Sequence, residues 1–398
     1  MMIQRTEYLN FLIRSKDKEL IKVISGIRRC GKSTLFEIYM DYLINNGIDK
    51  EQLIFINFED LSYNHLRDYM QLFSFIMERV QPDRMNYIFL DEIQHVSQFE
   101  RVVDSLFIQK NIDIYITGSN AYFMSGELAT LLSGRYIELK MLPLSFKEYC
   151  NGTDTQKSIS EKYRDYQINS SFPYAIDIMD DRKLIINYLE GIFNTVILKD
   201  VVARNKIGNV VMLEDVIKFL FDNIGNQTSA TKIANTMTSN GRKIDSKTVE
   251  KYIKALTESL IIYKAKRYNI KGKQYLKTLE KYYVVDIGLR YMLLGMSRTD
   301  TGHILENIVY LELIRRGYDV YVGQYGDMEV DFVAMNENGM EYFQVAATVR
   351  DEKTLNRELK PLLKINDNYP KYLLTLDEDP EGDYEGVRRI NVLDYFLR

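Results

Sequence analysis

The chain has 398 residues, 46% hydrophobic and 27% charged with no low-complexity run, so it is too long for one ordinary core and reads as two to four globular units in series. Two cysteines, Cys30 and Cys150, and three histidines leave no zinc spacing, and neither an apolar run of membrane length nor a signal-peptide start is present, so the expectation is a soluble, cytoplasmic protein without a membrane segment. The net charge of -4 conceals a segregation: Thr228 to Lys281 holds thirteen Lys or Arg against four Asp or Glu, +9, which leaves -13 elsewhere.

In chain order, "ELIKVI" reads as a buried strand, "SGIRRCGKST" as a glycine loop, and "LFEIYMDYLI" as a helix burying Leu35, Ile38, Tyr42 and Leu43. Gly26, Gly31, Lys32 and Ser33 meet the pattern G-x-x-x-x-G-K-S/T, in which backbone N–H groups from the loop and the helix start curl around phosphate oxygens. Cys30 and Thr34 fall inside that cradle. Lys32 is placed to reach the β and γ phosphates of ATP, and Ser33 to ligate Mg2+. By chance alone the pattern arises in on the order of one chain in a hundred of this length, and a plain glycine turn is the alternative reading.

The strand in "RMNYIFLDEIQ" ends in Asp91 and Glu92, the first suited to hold the metal and the second to orient or deprotonate water. "NIDIYITGSN" is the next strand, ending in Ser119 and Asn120, where polar side chains meet a γ-phosphate or the attacking water. A helical segment, "AYFMSGELATLLSGR", then leads into the strand "YIELKML", with Arg135 at the junction.

Together "GIRRCGKST", "FLDEIQ", "ITGSNA", "SGRYIEL" and "LPLSFKEY" resemble the prokaryotic AAA+ ATPases whose C-terminal half is a domain of unknown function, over nearly the whole chain. The resemblance implies an α/β core with a parallel sheet in the order 5-1-4-3-2. It also implies Ser119 or Asn120 as a sensor, Arg135 as a finger completing a neighbouring subunit's site in a homo-oligomer, and Asn57 as a contact for Glu92. A strand-ending asparagine is also an ordinary turn residue, and an exposed helix-end arginine also serves its own carbonyls.

Residues 143 to 205 are helical, and the resemblance implies a lid over the nucleotide, with "SFP" carrying Ser171 where the family has glycine and Pro173 near the base. From 206 to 292, three helices and a hairpin read as a winged helix. Val249, Ile253, Leu256 and Leu260 line one face of its third helix and Lys247, Lys251 and Lys254 another, with Asp245 or Ser246 as N-cap and "IKGKQ" as the wing turn. That placement fits DNA, though lysine-rich helices are also plain solvated faces.

Residues 293 to 398 follow the element order of a restriction-endonuclease-like fold, with Glu306 and Asp331 as its first acids. Gln344 and Ala346 stand where an active member has an acid and a lysine, so no cleavage is expected unless a lysine such as Lys353 or Lys360 migrates in. The reading is an ATPase core (1–142), lid (143–205), winged helix (206–292) and inactive nuclease-like domain (293–398) acting as a nucleic-acid-associated switch or motor. The rival is an assembly protein whose C-terminal domains dock partner proteins.

Overall fold

The structure, a computed structural model, describes residues 3–119, 132, 134–153, 156–296 and 300–398. The chain divides into two compact units, Met1–Pro143 with Glu258–Leu260, and Leu144–Thr257 with Ile261–Arg398.

In the first unit α1 (Thr6–Ser15) precedes β1 (Ile21–Gly26), α2 (Lys32–Asn45), β2 (Leu53–Asn57), α3 (Tyr69–Met77), β3 (Asn86–Asp91), α4 (Phe99–Phe107), β4 (Ile112–Ser119) and β5 (Tyr136–Met141). The five strands form one parallel sheet in the order β2-β3-β4-β1-β5, the expected order seen from its other edge. Helices on both faces explain why the strands read as continuous apolar runs. Val23, Ile56, Leu90 and Ile116 share one core with Val102, Val103 and Leu106 of α4. On the other face Phe36 and Tyr39 of α2 pack on Phe89 and Tyr115. The face of α2 is thus centred on Phe36 and Tyr39, and Tyr42 is only half-buried. In register, Gly26 stands opposite Ser119 and Met141, and Asn57 opposite Asp91, which gathers these residues at the carboxyl edge. That edge, where strand order reverses between β1 and β4, is where parallel sheets bind ligands.

The second unit opens with α5 (Phe146–Gly152), α6 (Ile159–Asn169) and α7 (Arg182–Thr195), the last running into a π-helical segment, Val196–Ala203. Next come α8 (Val210–Asp222), α9 (Ala230–Ser239), α10 (Ser246–Glu258), β6 (Ile262–Asn269), β7 (Gln274–Val284) and α11 (Ile287–Leu294). The remainder is α12 (Thr301–Arg315), β8 (Asp319–Tyr325), β9 (Met328–Asn336), β10 (Gly339–Ala346), α13 (Glu352–Lys364), β11 (Lys371–Thr375), β12 (Gly382–Tyr384), β13 (Val387–Asn391) and α14 (Val392–Leu397). One sheet of eight strands runs β12-β13-β11-β10-β9-β8-β6-β7. The hairpin therefore does not stand alone, because β6 pairs antiparallel with β7 on one side and parallel with β8 on the other. Tyr310 of α12 packs on Tyr283 and Phe332, and Leu359 and Leu362 of α13 pack on the opposite face with Val333 and Tyr342. Among the described residues no helix is long and apolar enough to cross a membrane.

Candidate active site

Gly26 ends β1 where only glycine fits: a Cβ there would lie 2.5 Å from the Met141 carbonyl oxygen and 2.8 Å from Cys30 Sγ. Gly31 adopts φ 101°, a left-handed turn that aims the loop into α2. Arg5 pins the loop to the end of β5, its guanidinium donating to the carbonyls of Cys30 at 2.9 Å and Leu142 at 2.7 Å. Cys30 contributes backbone only, since its thiol is buried and desolvation pushes its pKa up.

Lys32 begins α2, and its ammonium donates to the carbonyls of Gly26 and Ile27 at 3.2 and 3.4 Å while lying 3.6 Å from Glu92 Oε1. Ser33 Oγ donates to Asp91 Oδ2 at 2.6 Å, and Thr34 is half-buried beside it. Thr117 of β4 clamps the acids: its hydroxyl donates to Asp91 Oδ1 and accepts from Glu92 N–H at 3.0 Å. Glu92 sits at φ 54°, an uncommon backbone region for a non-glycine that turns the chain away from the strand axis. Gln94 then donates to Glu92 Oε2, and its own Oε1 is buried without a hydrogen-bond partner among the described residues.

The two acids are pushed in opposite directions. Burial raises Asp91 above the usual carboxylate range, against the pull of Ser33 and Thr117. Burial works the same way on Glu92, yet the Lys32 ammonium and the Gln94 amide overcome it and hold Glu92 below its ordinary value. One lysine, one hydroxyl and two acids of unequal strength thus converge on a loop lined with N–H groups. The oxygen pair of Ser33 and Asp91 is the hard donor set that suits Mg2+.

Asn57 does not reach Glu92; its Oδ1 accepts from Glu59 N–H at 2.8 Å and closes a turn, so the amide on Glu92 is that of Gln94. Ser119 pairs through its backbone with Gly26 at the same edge, and Asn120 lies outside the described residues. Arg135 is exposed at the opposite, amino edge of β5, roughly 17 Å along the strand from the loop. Its carbonyl accepts from Ile21 N–H at 2.9 Å, and its guanidinium lies 5.6 Å from the centre of the Phe107 ring.

Arg5, Thr117 and Gln94 are not singled out by the sequence reading. A threonine inside the apolar run "YIT" was the one sequence signal for any of them.

In the second unit, Ser171 donates through N–H and Oγ to the buried Asp286, both at 2.6 Å, while Ser170 takes the left-handed φ of 85°. Pro173 opens a short 3-10 turn. On α10, Asp245 is the N-cap, accepting from Thr248 N–H at 3.0 Å, and Lys247, Lys251 and Lys254 are exposed. The buried face is Val249, Tyr252, Ile253, Ala255 and Leu256.

Glu306 and Asp331 line a cavity of about 610 Å³ with Glu329, Gln344, Glu358 and Lys360. Lys353 is exposed and Lys360 lines the cavity, while another lysine is buried within the cluster. It is Lys281 of β7, whose ammonium lies 2.8 Å from both Glu306 and Glu329. Burial opposes its charge, but Glu306 first, then Asp331 and Glu329, carry its pKa well up. Tyr283 donates to Glu306 at 2.6 Å and Val345 N–H to Asp331 at 2.8 Å. Gln344 donates to Glu358 at 2.8 Å. Burial, then the nearby Glu306, raises Asp331 far above the usual carboxylate range.

Residues 18–150 match a family described as an AAA domain, and residues 160–300 a domain of unknown function, DUF8612. An uncharacterized protein of Haemophilus influenzae is 41% identical over 401 residues, covering 100% of this chain and 99% of its own length. The uncharacterized protein MJ1544 of Methanocaldococcus jannaschii is 30% identical over 403 residues, covering 94% of this chain and 85% of its own. The Walker-type ATPase PABY2304 of Pyrococcus abyssi shares the fold, with a TM-score of 0.50 at 15% identity over 74% of this chain and 96% of that one.

Proposed function

We propose, for a chain that belongs to the same family of AAA-domain proteins as those of H. influenzae and M. jannaschii, that it binds and hydrolyses ATP with Mg2+ and works on nucleic acid as a switch or motor. The observation that carries this is the convergence of Lys32 and Ser33, at the first turn of α2, on Glu92 and Asp91. Loop N–H groups and Lys32 bind the phosphates, and a γ-phosphate competing for Lys32 frees Glu92. Glu92, released from Lys32, then orients water and accepts its proton. Ser33, and Asp91 through water, would hold Mg2+, which would supply charge neutralisation at the phosphate oxygens. Ser119 or Asn120 acts as the sensor, and Arg135, remote from its own loop, serves a neighbouring copy of the chain.

The remaining assignments are a lid over 143–205, a winged helix over 206–292 that meets DNA through Lys247, Lys251 and Lys254, and a nuclease-like domain over 293–398 that does not cut. The charge supports the second, and the in-chain partners of Glu306 and Asp331 support the third.

Turnover assays test the core. Lys32→Ala should lose tight Mg-ATP binding, whereas Glu92→Gln should keep ATP and lose hydrolysis by on the order of 100-fold or more. Wild-type turnover in Glu92→Gln sinks the assignment. DNA that stimulates turnover, less so as salt rises, supports the nucleic-acid role, and no binding in the parent favours protein docking. Cleavage of linear, supercoiled or branched DNA that vanishes in Asp331→Ala would overturn the third assignment.

A further inference from the structure

The tip of the β6–β7 hairpin carries an arrangement that the winged-helix reading does not use. Residues 262 to 277 hold six Lys or Arg and no Asp or Glu, and the exposed Lys271 and Lys273 flank the turn, which Asn269 closes by accepting from Gly272 N–H at 2.8 Å. Directly across the hairpin, Tyr275 is paired with Tyr268, their ring centres 5.6 Å apart, and Tyr321 of β8 lies 5.2 Å from Tyr275. Tyr268 is only 7% exposed and packs into the core with Val333 and Tyr342, while Tyr275 is 61% exposed. The ring of Tyr275 is therefore held by two neighbours on one side and open to solvent on the other. A large apolar surface left exposed within a run of cations is what a base and its phosphates require.

We propose that Tyr275, backed by Tyr268 and Tyr321 and flanked by Lys271 and Lys273, is a stacking platform for an unpaired base of single-stranded nucleic acid. This rests on the nucleic-acid reading above and assigns it a second surface, distinct from the lysines of α10. Every base presents a π-face, so the platform tolerates any sequence, and the two lysines engage phosphates on either side of the stacked nucleotide. In a duplex those faces are covered by neighbouring base pairs, so duplex DNA has no use for Tyr275. A ring already fixed by two others loses little freedom when a base settles on it, which favours binding.

The chain has no tryptophan, so Tyr275→Trp in the full-length protein places a sole indole at the platform. A 20-residue oligothymidylate should quench its fluorescence. By anisotropy, Tyr275→Leu should weaken the oligothymidylate by roughly tenfold and Tyr275→Phe should not, because the ring and not the hydroxyl does the stacking. Duplex affinity should stay within about twofold in both. Removing Lys271 and Lys273 together should reduce the salt slope for single strands by about 1.4. An indole unquenched at saturating oligothymidylate, or parental affinity in Tyr275→Leu, overturns the platform. If the duplex is still lost on reversing Lys247, Lys251 and Lys254 to glutamate, only the platform has failed. If the parent binds neither strand form, the nucleic-acid reading fails and the platform with it.

Discussion

Two clefts in this chain are built from the same ingredients, a buried lysine between carboxylates, and they differ in how much the rest of the chain leaves undone. In the first, Lys32 is bonded among the described residues only to carbonyls, at 3.2 and 3.4 Å, and stands 3.6 Å from Glu92 beside the glycine loop. In the second, Lys281 lies 2.8 Å from two acids, Tyr283 adds a second bond to Glu306, and a strand N–H occupies Asp331. The lysine of the first cleft is loosely held and can change partner, whereas that of the second balances charge that burial would otherwise make untenable. A lysine among acids is thus no function in itself; the geometry of its competitors decides.

The largest effect that would sharpen this contrast is expected for Lys281→Met, which leaves Glu306 and Glu329 without their cation. It should cost about 3–5 kcal/mol, read as a fall in the urea midpoint, and a loss below about 1 kcal/mol would show that the second cleft is not held together by that charge. Gly26→Ala comes next. Its Cβ would press on the Met141 carbonyl, backbone that cannot step aside, so it should cost about 1–3 kcal/mol and disable ATP binding. Full ATP affinity in that variant would mean the loop is not the cradle.

A smaller, pH-dependent effect distinguishes the acids. Because the folded pKa of Asp331 is raised, the unfolded chain releases that proton first, and stability falls as pH climbs from about 4 toward the folded value. Asp331→Asn should flatten that slope, so its urea midpoint gains on the parent between pH 5 and pH 8. A gain that instead shrinks would place a charged Asp331 in a welcoming site. Arg135→Ala should be the mildest, losing about 0.5–1 kcal/mol with its contact to Phe107. If it is a finger in trans, turnover collapses despite that, and mixing it with Lys32→Ala subunits recovers part of it.

The glycine loop was legible because it is local: Gly26, Gly31, Lys32 and Ser33 fall within eight residues, and Asp91 and Glu92 end a plainly apolar strand. What was not legible comes from afar. Arg5 reaches a carbonyl 137 residues away, Thr117 meets Asp91 across 26, and Lys281 meets Glu306 across 25. Composition misled in one instance: Lys281 counted among the cations of the basic segment, yet it is buried and spent on acids of its own chain. Strand pairing was equally hidden, since nothing in "IIYKAKRYN" announces that its second edge will be taken by β8, some fifty residues on.

That distant pairing, with α14, sets a timetable for synthesis. The five strands of the first sheet are all available once Met141 has left the ribosome. The second unit closes only when residues 392 to 398 exist, because Phe396 of α14 packs 6.1 Å from Phe146 of α5 and Lys147 donates to the Arg398 carbonyl at 2.9 Å. At about 5–20 residues per second, the first sheet precedes the second unit by roughly 10–50 s. Within that interval β6 has an open edge for the roughly 55 residues until β8 is made and Lys281 waits 25 residues for Glu306, so the nascent second unit is the part of this protein that chaperones have most reason to meet.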